Sequence, residues 1–215
     1  MLLAGAALGW IATQLGHLLS DVIRRYLLRR AVVSELRQIH EEASRVWTSL
    51  ARSLQIQSLG GIDNSLPLPL SNKAYCSYYG ESLLVFTRVQ RIAIELIHKY
   101  VEEANAGLAE LRHSINRLND LQCERGLDEA SIQRFGHKLT ATMSVAAETM
   151  WYTNYYIARP DFPILENSGP WLEAYQKYVD SYRDELKNII ASVAGLTRDD
   201  FERAYQPSPL PVVEP

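Results

Sequence analysis

Cysteine is scarce in this chain: Cys76 and Cys123 are the only two. That is too few for a disulfide framework or for a zinc site built from cysteines. A basic excess is also missing. The 22 Lys and Arg residues stand against 25 Asp and Glu, and the formal net charge is −3. Nothing in that balance draws the chain toward nucleic acid, and no nucleic-acid partner is expected. The motifs that name reactions are absent as well. There is no phosphate-binding glycine loop, no dinucleotide fingerprint after a strand, no GxSxG and no HExxH. No internal repeat and no pair of alternating strand-like runs occurs. Glycine and proline are both absent between Gly16 and Gly60. Together these gaps argue against a secreted disulfide module and against a recognisable enzyme, and no cofactor or metal is expected.

What is present reads as helix. The 215 residues are 47% apolar and 22% charged, which is ordinary globular usage and enough for one domain with a core. The fold class expected is all-α, with an N-terminal transmembrane helix continuous with a long amphipathic helix and then an antiparallel helical bundle. Residues Leu2 to Ser20 carry no charged side chain when His17 is neutral. At about 1.5 Å per residue this stretch spans roughly 28 Å, close to a bilayer's hydrocarbon core. Arg24, Arg25, Arg29 and Arg30 follow it directly, and no Lys or Arg precedes it. That order argues against a signal peptide, and the positive-inside rule places the bulk of the chain in the cytoplasm behind a single-pass anchor. The four arginines are the expected headgroup contacts.

The first segment also has internal structure. Gly5, Gly9, Ala12 and Gly16 recur at helical spacing and form a small-residue sector suited to close helix–helix approach, with Gly5 and Gly9 as a GxxxG pair. Gln14 and His17 lie in a polar sector and need partners inside lipid. Self-association satisfies both sectors, so a homo-oligomer is expected. An interfacial helix and a helix buried in a soluble oligomer are the alternatives to a span.

Beyond the anchor, a seven-residue step links Tyr26, Val33, His40, Trp47 and Leu54. Leu36, Ala43 and Leu50 form a second row, and Val32, Ile39 and Val46 widen the stripe, as in a bundle helix. This helix is expected to end near Gln57. The Gly60-Gly61 pair and the Leu66-Pro67-Leu68-Pro69-Leu70 string then read as a connector. A short helix capped by Ser71 or Asn72 and closed at Gly80, a long one from Glu81 to Glu124, one from Asp128 to Ala158, one from Pro170 to Ala194 and a last turn from Thr197 to Tyr205 complete the reading. Gly107 in the second long helix marks a kink or a close crossing. The expected organisation is an anchor over 1–23, a bundle over 24–205 and a disordered Pro-rich tail over 206–215.

The chemistry-bearing residues form no clear centre. Glu95-xx-His98 and Glu110-xx-His113 have the spacing used in di-iron bundles, but both lie on one helix, roughly 22 Å apart. Cys76 is read as a buried structural thiol, and His40 as a hydrogen-bonded bundle histidine. The aromatics stand out more. Trp151 and Tyr155 close one helix, and Tyr175, Tyr178 and Tyr182 share a face of the next. They read as helix–helix core or as a groove for a protein partner.

The order of anchor, arginines, amphipathic helix and a Leu66-Pro67 connector leading to Lys73-Ala74-Tyr75 resembles a loose group of uncharacterised bacterial proteins. These have an N-terminal membrane anchor and a helical cytoplasmic body. The resemblance covers roughly residues 2–105 and implies no functional residues. Some small anchored helical proteins of bacteria look like effectors of anti-phage or toxin systems. The expected function is therefore a membrane-anchored, non-enzymatic interaction or scaffold protein, in contact with the lipid bilayer and a protein partner. Its alternatives are an oligomeric pore-forming or membrane-perturbing effector, and a soluble helical oligomer whose first helix is buried at an interface.

Overall fold

The computed structural model describes residues 2–82, 85–124, 126, 128–160, 163 and 169–204. Six helices occupy them and no strand occurs among the described residues: α1 (Leu2–Ser58), α2 (Lys73–Ser82), α3 (Arg88–Glu124), α4 (Glu129–Ala158), α5 (Pro170–Ala191) and α6 (Arg198–Ala204). The chain is all-α. The 206–215 tail, most of the Pro160–Gly169 loop and Tyr205 lie outside the described residues.

The helix α1 runs unbroken for 57 residues because nothing in it interrupts the hydrogen-bond ladder. It closes with Leu59 and Gly60 turning back onto Gln55, Ile56 and Gln57, and Gly60 takes the positive φ that a side chain resists. The stripe recognised in its sequence is core from Leu28 onward. Val32, Leu36, Ile39, Ala43, Val46, Trp47, Leu50 and Leu54 are all buried.

The central element is α4, which packs on α1, α3 and α5. Its register against each is read from side chains. His40 meets Met150 and Gln57 meets Ile132, so α1 and α4 run antiparallel. Tyr178 meets Ala147 and Trp151 meets Tyr175, so α4 and α5 do too. A helix enclosed on several sides must satisfy its buried hydroxyls internally. Thr142, Thr149 and Thr153 donate back to the carbonyls of Lys138, Val145 and Thr149. Gly107 is a close-crossing residue. A Cβ there would sit 2.7 Å from Thr142 Oγ1, so α3 approaches α4 at a distance only glycine permits.

Three boundaries differ from the sequence expectation. Gly80 does not end the short helix, since α2 continues to Ser82, and α3 begins at Arg88, not Glu81. The reason is a reciprocal cap: Thr87 N donates to Gln90 Oε1 and Gln90 N donates to Thr87 Oγ1. That Thr-x-x-Gln box is a start signal in the sequence. Gln90 also donates to the Pro160 carbonyl, fixing the start of α3 to the end of α4. The helix α5 ends at Ala191, three residues before the expected Ala194.

The connector between α1 and α2 is held down by buried and half-buried polar side chains. Asn105 on α3 accepts from Leu70 N and donates to its carbonyl, which satisfies both backbone groups of one residue. Glu42 accepts from Ser71 N at 2.7 Å, and Glu35 accepts from Tyr75 N at 2.7 Å. Asp63 accepts from Ser53 Oγ and Ser65 N. Two carboxylates of α1 thus neutralise the unpaired N–H groups at the start of α2, where negative charge is favoured.

Candidate functional site

The feature least explained by folding is the first half of α1. From Thr13 to Leu27 every residue is exposed. Trp10, Leu15, Leu18, Leu19, Val22, Ile23, Tyr26 and Leu27 are between 49% and 66% exposed, and the next residue, Leu28, drops to 7%. Over Thr13–Leu27, roughly 22 Å of helix, α1 therefore forms an arm whose large apolar side chains are exposed.

At about 100° per residue the arm from Thr13 to Leu27 sorts into two halves, while Trp10 falls between His17 and Asp21 on the polar one. Leu15, Leu18, Leu19, Val22, Ile23, Tyr26 and Leu27 cover one half of the circumference. Thr13, Gln14, His17, Ser20, Asp21, Arg24 and Arg25 cover the other. The apolar half is not a continuation of the core stripe. The direction shared by Leu28, Val32, Leu36, Ile39 and Ala43 lies roughly a third of a turn from its centre. The residues that extend the apolar half along the helix include Arg29, Arg30 and Arg37, together with Val33, which packs on the core, and the exposed Glu41. Arg30 and Arg37 are exposed and Arg29 is partly so. An open groove of about 800 Å³ borders this half, lined by Gly16, Leu19, Ile23, Leu27 and, at its rim, Ser20 and Arg24.

Several expectations change here. Among the described residues no helix is long and apolar enough to cross a membrane, so the transmembrane segment is not supported. The physical reason is the polar half of the arm, which puts Gln14, His17, Asp21, Arg24 and Arg25 along one side. The small-residue sector falls largely outside the described side chains, which exclude Gly5, Gly9 and Ala12. Gly16 has open space around its Cα, so no neighbouring helix packs on it in the chain. The four arginines divide: Arg24 and Arg25 lie on the polar half, and Arg29 and Arg30 on the apolar side.

The aromatic residues come together as one cluster. Trp151 lies 5.0 Å from Tyr178 and 6.0 Å from Tyr175, and Tyr178 meets Tyr182 edge-on. Trp171 stacks on Tyr175 at 5.5 Å with an interplanar angle of 3°. Trp151, Tyr155, Tyr178 and Tyr182 are buried and Tyr175 is partly buried. These rings pack α4 against α5 and α1. Their burial follows from the small residues opposite them, as where the Tyr178 hydroxyl reaches the Ala147 carbonyl. Burial raises the pKa of the half-buried Glu148 carboxyl, although the hydroxyls of Tyr100 and Tyr175 bond to it.

A second buried group lies under α2. His98 of α3 is stacked by Tyr75, centroid to centroid at 3.9 Å, and its Nε2 is 3.9 Å from Glu35 Oε2. Neither ring nitrogen has a hydrogen-bond partner. Burial lowers its pKa to about 4, so the ring is neutral at neutral pH beside a carboxylate already bonded to Tyr75 N. His98 does not meet Cys76, which is exposed, and this corrects the reading of Cys76 as a buried thiol. His40 Nδ1 lies 3.2 Å from the Met150 carbonyl, which can only accept from it, and 3.2 Å from Thr153 Oγ1. Glu110 pairs with Lys138 at 2.7 Å. Among the described residues no group of three His, Cys, Asp or Glu is placed to hold a metal ion.

No family model matches the chain, and neither a curated protein nor a solved structure shows significant similarity to it.

Proposed function

We propose that the protein is a membrane-attached, non-enzymatic interaction protein. The arm of α1 fixes a helical bundle to a lipid surface, and the bundle presents its exposed faces to a protein partner or to further copies. The single observation that carries this reading is the abrupt change at Leu28. Eight large apolar side chains before it stand in solvent, and a continuous core begins at it. Exposed apolar area of that extent is costly in water and marks a contact surface. The arginines at the base of the arm supply the charge that anionic headgroups neutralise.

Fractionation of cells expressing the full chain, or the chain lacking residues 1–23, tests this. The full chain is expected in the membrane pellet and the shortened chain in the supernatant, with the same helical content and melting temperature. A full chain that remains in the supernatant and runs as a monomer refutes the proposal. A second reading, in which the arm joins copies in solution, is favoured by the groove beside Gly16 and Ser20. It predicts instead a soluble oligomer that dissociates when residues 1–23 are removed.

A further inference from the structure

We infer that the arm lies in the plane of an anionic leaflet, with Leu15, Leu18, Leu19, Val22, Ile23 and Tyr26 sunk between headgroups and Arg29, Arg30 and Arg37 on lipid phosphates. The inference rests on the membrane-attached reading above and adds the geometry of attachment and the class of lipid.

Three observations carry it. First, the arm's two halves are segregated by side and not by position along the helix. Asp21 and Arg24 are interleaved in sequence with Val22, Ile23 and Tyr26 but face the other way, and Arg25 stands at the boundary beside Leu18. A helix of that kind satisfies both halves only when its axis lies along the boundary between water and hydrocarbon. A lone span would carry its charged side into lipid. Second, one edge of the apolar half, Leu19, Ile23 and Leu27, points away from the direction in which α1 meets the body, while the other, Leu18 and Val22, shares the direction of Leu36 and His40. The body packs on the side of Leu28, Val32 and Leu36, and α2 is held through Glu35 and Glu42, close to diametrically opposite the apolar half. From Leu15 to Leu27 the apolar face is exposed. Third, the charge on that face is positive. Beyond Leu27 it continues as Arg29, Arg30 and Arg37. A parallel pairing of two copies through this face would set six arginines along one seam. An anionic leaflet places phosphates opposite them.

The groove beside Gly16, Leu19, Ile23 and Leu27 fits the same arrangement. It runs along the edge of the apolar half, and Arg24 stands at its rim.

The test is depth measurement on the full chain. Cys76 and Cys123 are exposed and are replaced first by serine. Gln14→Cys, Leu15→Cys, Leu18→Cys, Asp21→Cys and Val22→Cys are then spin-labelled singly. Each is bound to vesicles of phosphatidylcholine with about 30% phosphatidylglycerol, a fraction chosen to supply the anionic surface that polybasic segments require. Labels at 15, 18 and 22 are expected at one shallow depth, about 5–10 Å below the headgroups, and labels at 14 and 21 in water. Arg29→Gln, Arg30→Gln and Arg37→Gln together are expected to weaken binding roughly a hundredfold, at about fivefold per charge. Binding to pure phosphatidylcholine is expected to be similarly weak.

A depth that changes steadily with residue number, by about 1.5 Å per residue whichever face bears the label, overturns the inference in favour of a span but leaves attachment standing. Labels shielded from lipid and broadened by neighbouring labels overturn it in favour of a second copy. Equal binding to both vesicle compositions overturns the anionic assignment. Failure to bind any vesicle overturns the attachment reading itself and this inference with it.

Discussion

Trp47→Ala is expected to lower the unfolding free energy by about 3–5 kcal/mol, the range for emptying an aromatic site in a core. Trp47 is 1% exposed and stands where three helices meet. It belongs to the buried stripe of α1, lies in the core cluster with residues of α4, and meets Tyr182 of α5 edge-on at 6.2 Å. Urea unfolding followed by circular dichroism measures the loss. The same substitution leaves the arm untouched, so lipid binding per folded molecule should not change. A loss below about 1 kcal/mol would mean that this junction is loosely packed and that the core described here is not the stabilising one.

The second large effect is pH-dependent and belongs to His98. Its folded pKa is depressed to about 4 from an ordinary 6.5. Between those values the unfolded chain binds a proton that the folded chain does not, so stability falls as pH drops through that window and is fully present above it. The facing groups are Glu35 of α1 and Tyr75 of α2. A depression of this size corresponds to about 3 kcal/mol between pH 7 and pH 4. His98→Phe keeps the stack on Tyr75 and removes the titration. The difference in unfolding free energy between the two proteins is therefore expected to shift by about that amount in favour of the variant as pH falls from 7 to 4. Parallel pH profiles for the two proteins would show that the histidine is accessible to protons in the folded state.

The sequence made the helices legible wherever the signal is local. The Leu36, Ala43, Leu50 row and its flank Val32, Ile39, Val46 are the buried face of α1, and Asp128 caps α4 through Ser131 N as its position suggested. The same periodicity misled at one end. Tyr26 sits in the heptad row with Trp47 and Leu54 yet is 63% exposed, because the body begins only at Leu28. Periodicity states which residues share a face, not whether anything covers it. The aromatic cluster illustrates the converse. Spacing put Tyr175, Tyr178 and Tyr182 on one face, but whether that face was groove or core depended on α4 and α1 closing over it. The latch under α2 was illegible for a different reason. Glu35 caps a helix start 40 residues away, and Asn105 satisfies Leu70 across 35, and no local motif announces a cap supplied at that distance. The start of α3 was legible and missed: Thr87 and Gln90 form a capping box that the unbroken apolar run around it obscured. In the arm, counting charges over Leu2–Ser20 suggested a span. Placing Thr13 to Leu27 on the helix circumference shows a two-sided segment, and sidedness sets how such a helix meets lipid.

The most direct test of lipid attachment is co-flotation of the purified full chain with anionic vesicles, beside a Leu18→Asp, Val22→Asp variant. Both positions are exposed and outside the core, so the variant should melt at the same temperature. The account predicts that the full chain rises with the vesicles and the variant stays at the bottom of the gradient. Equal flotation of the two, or flotation of neither, would contradict it.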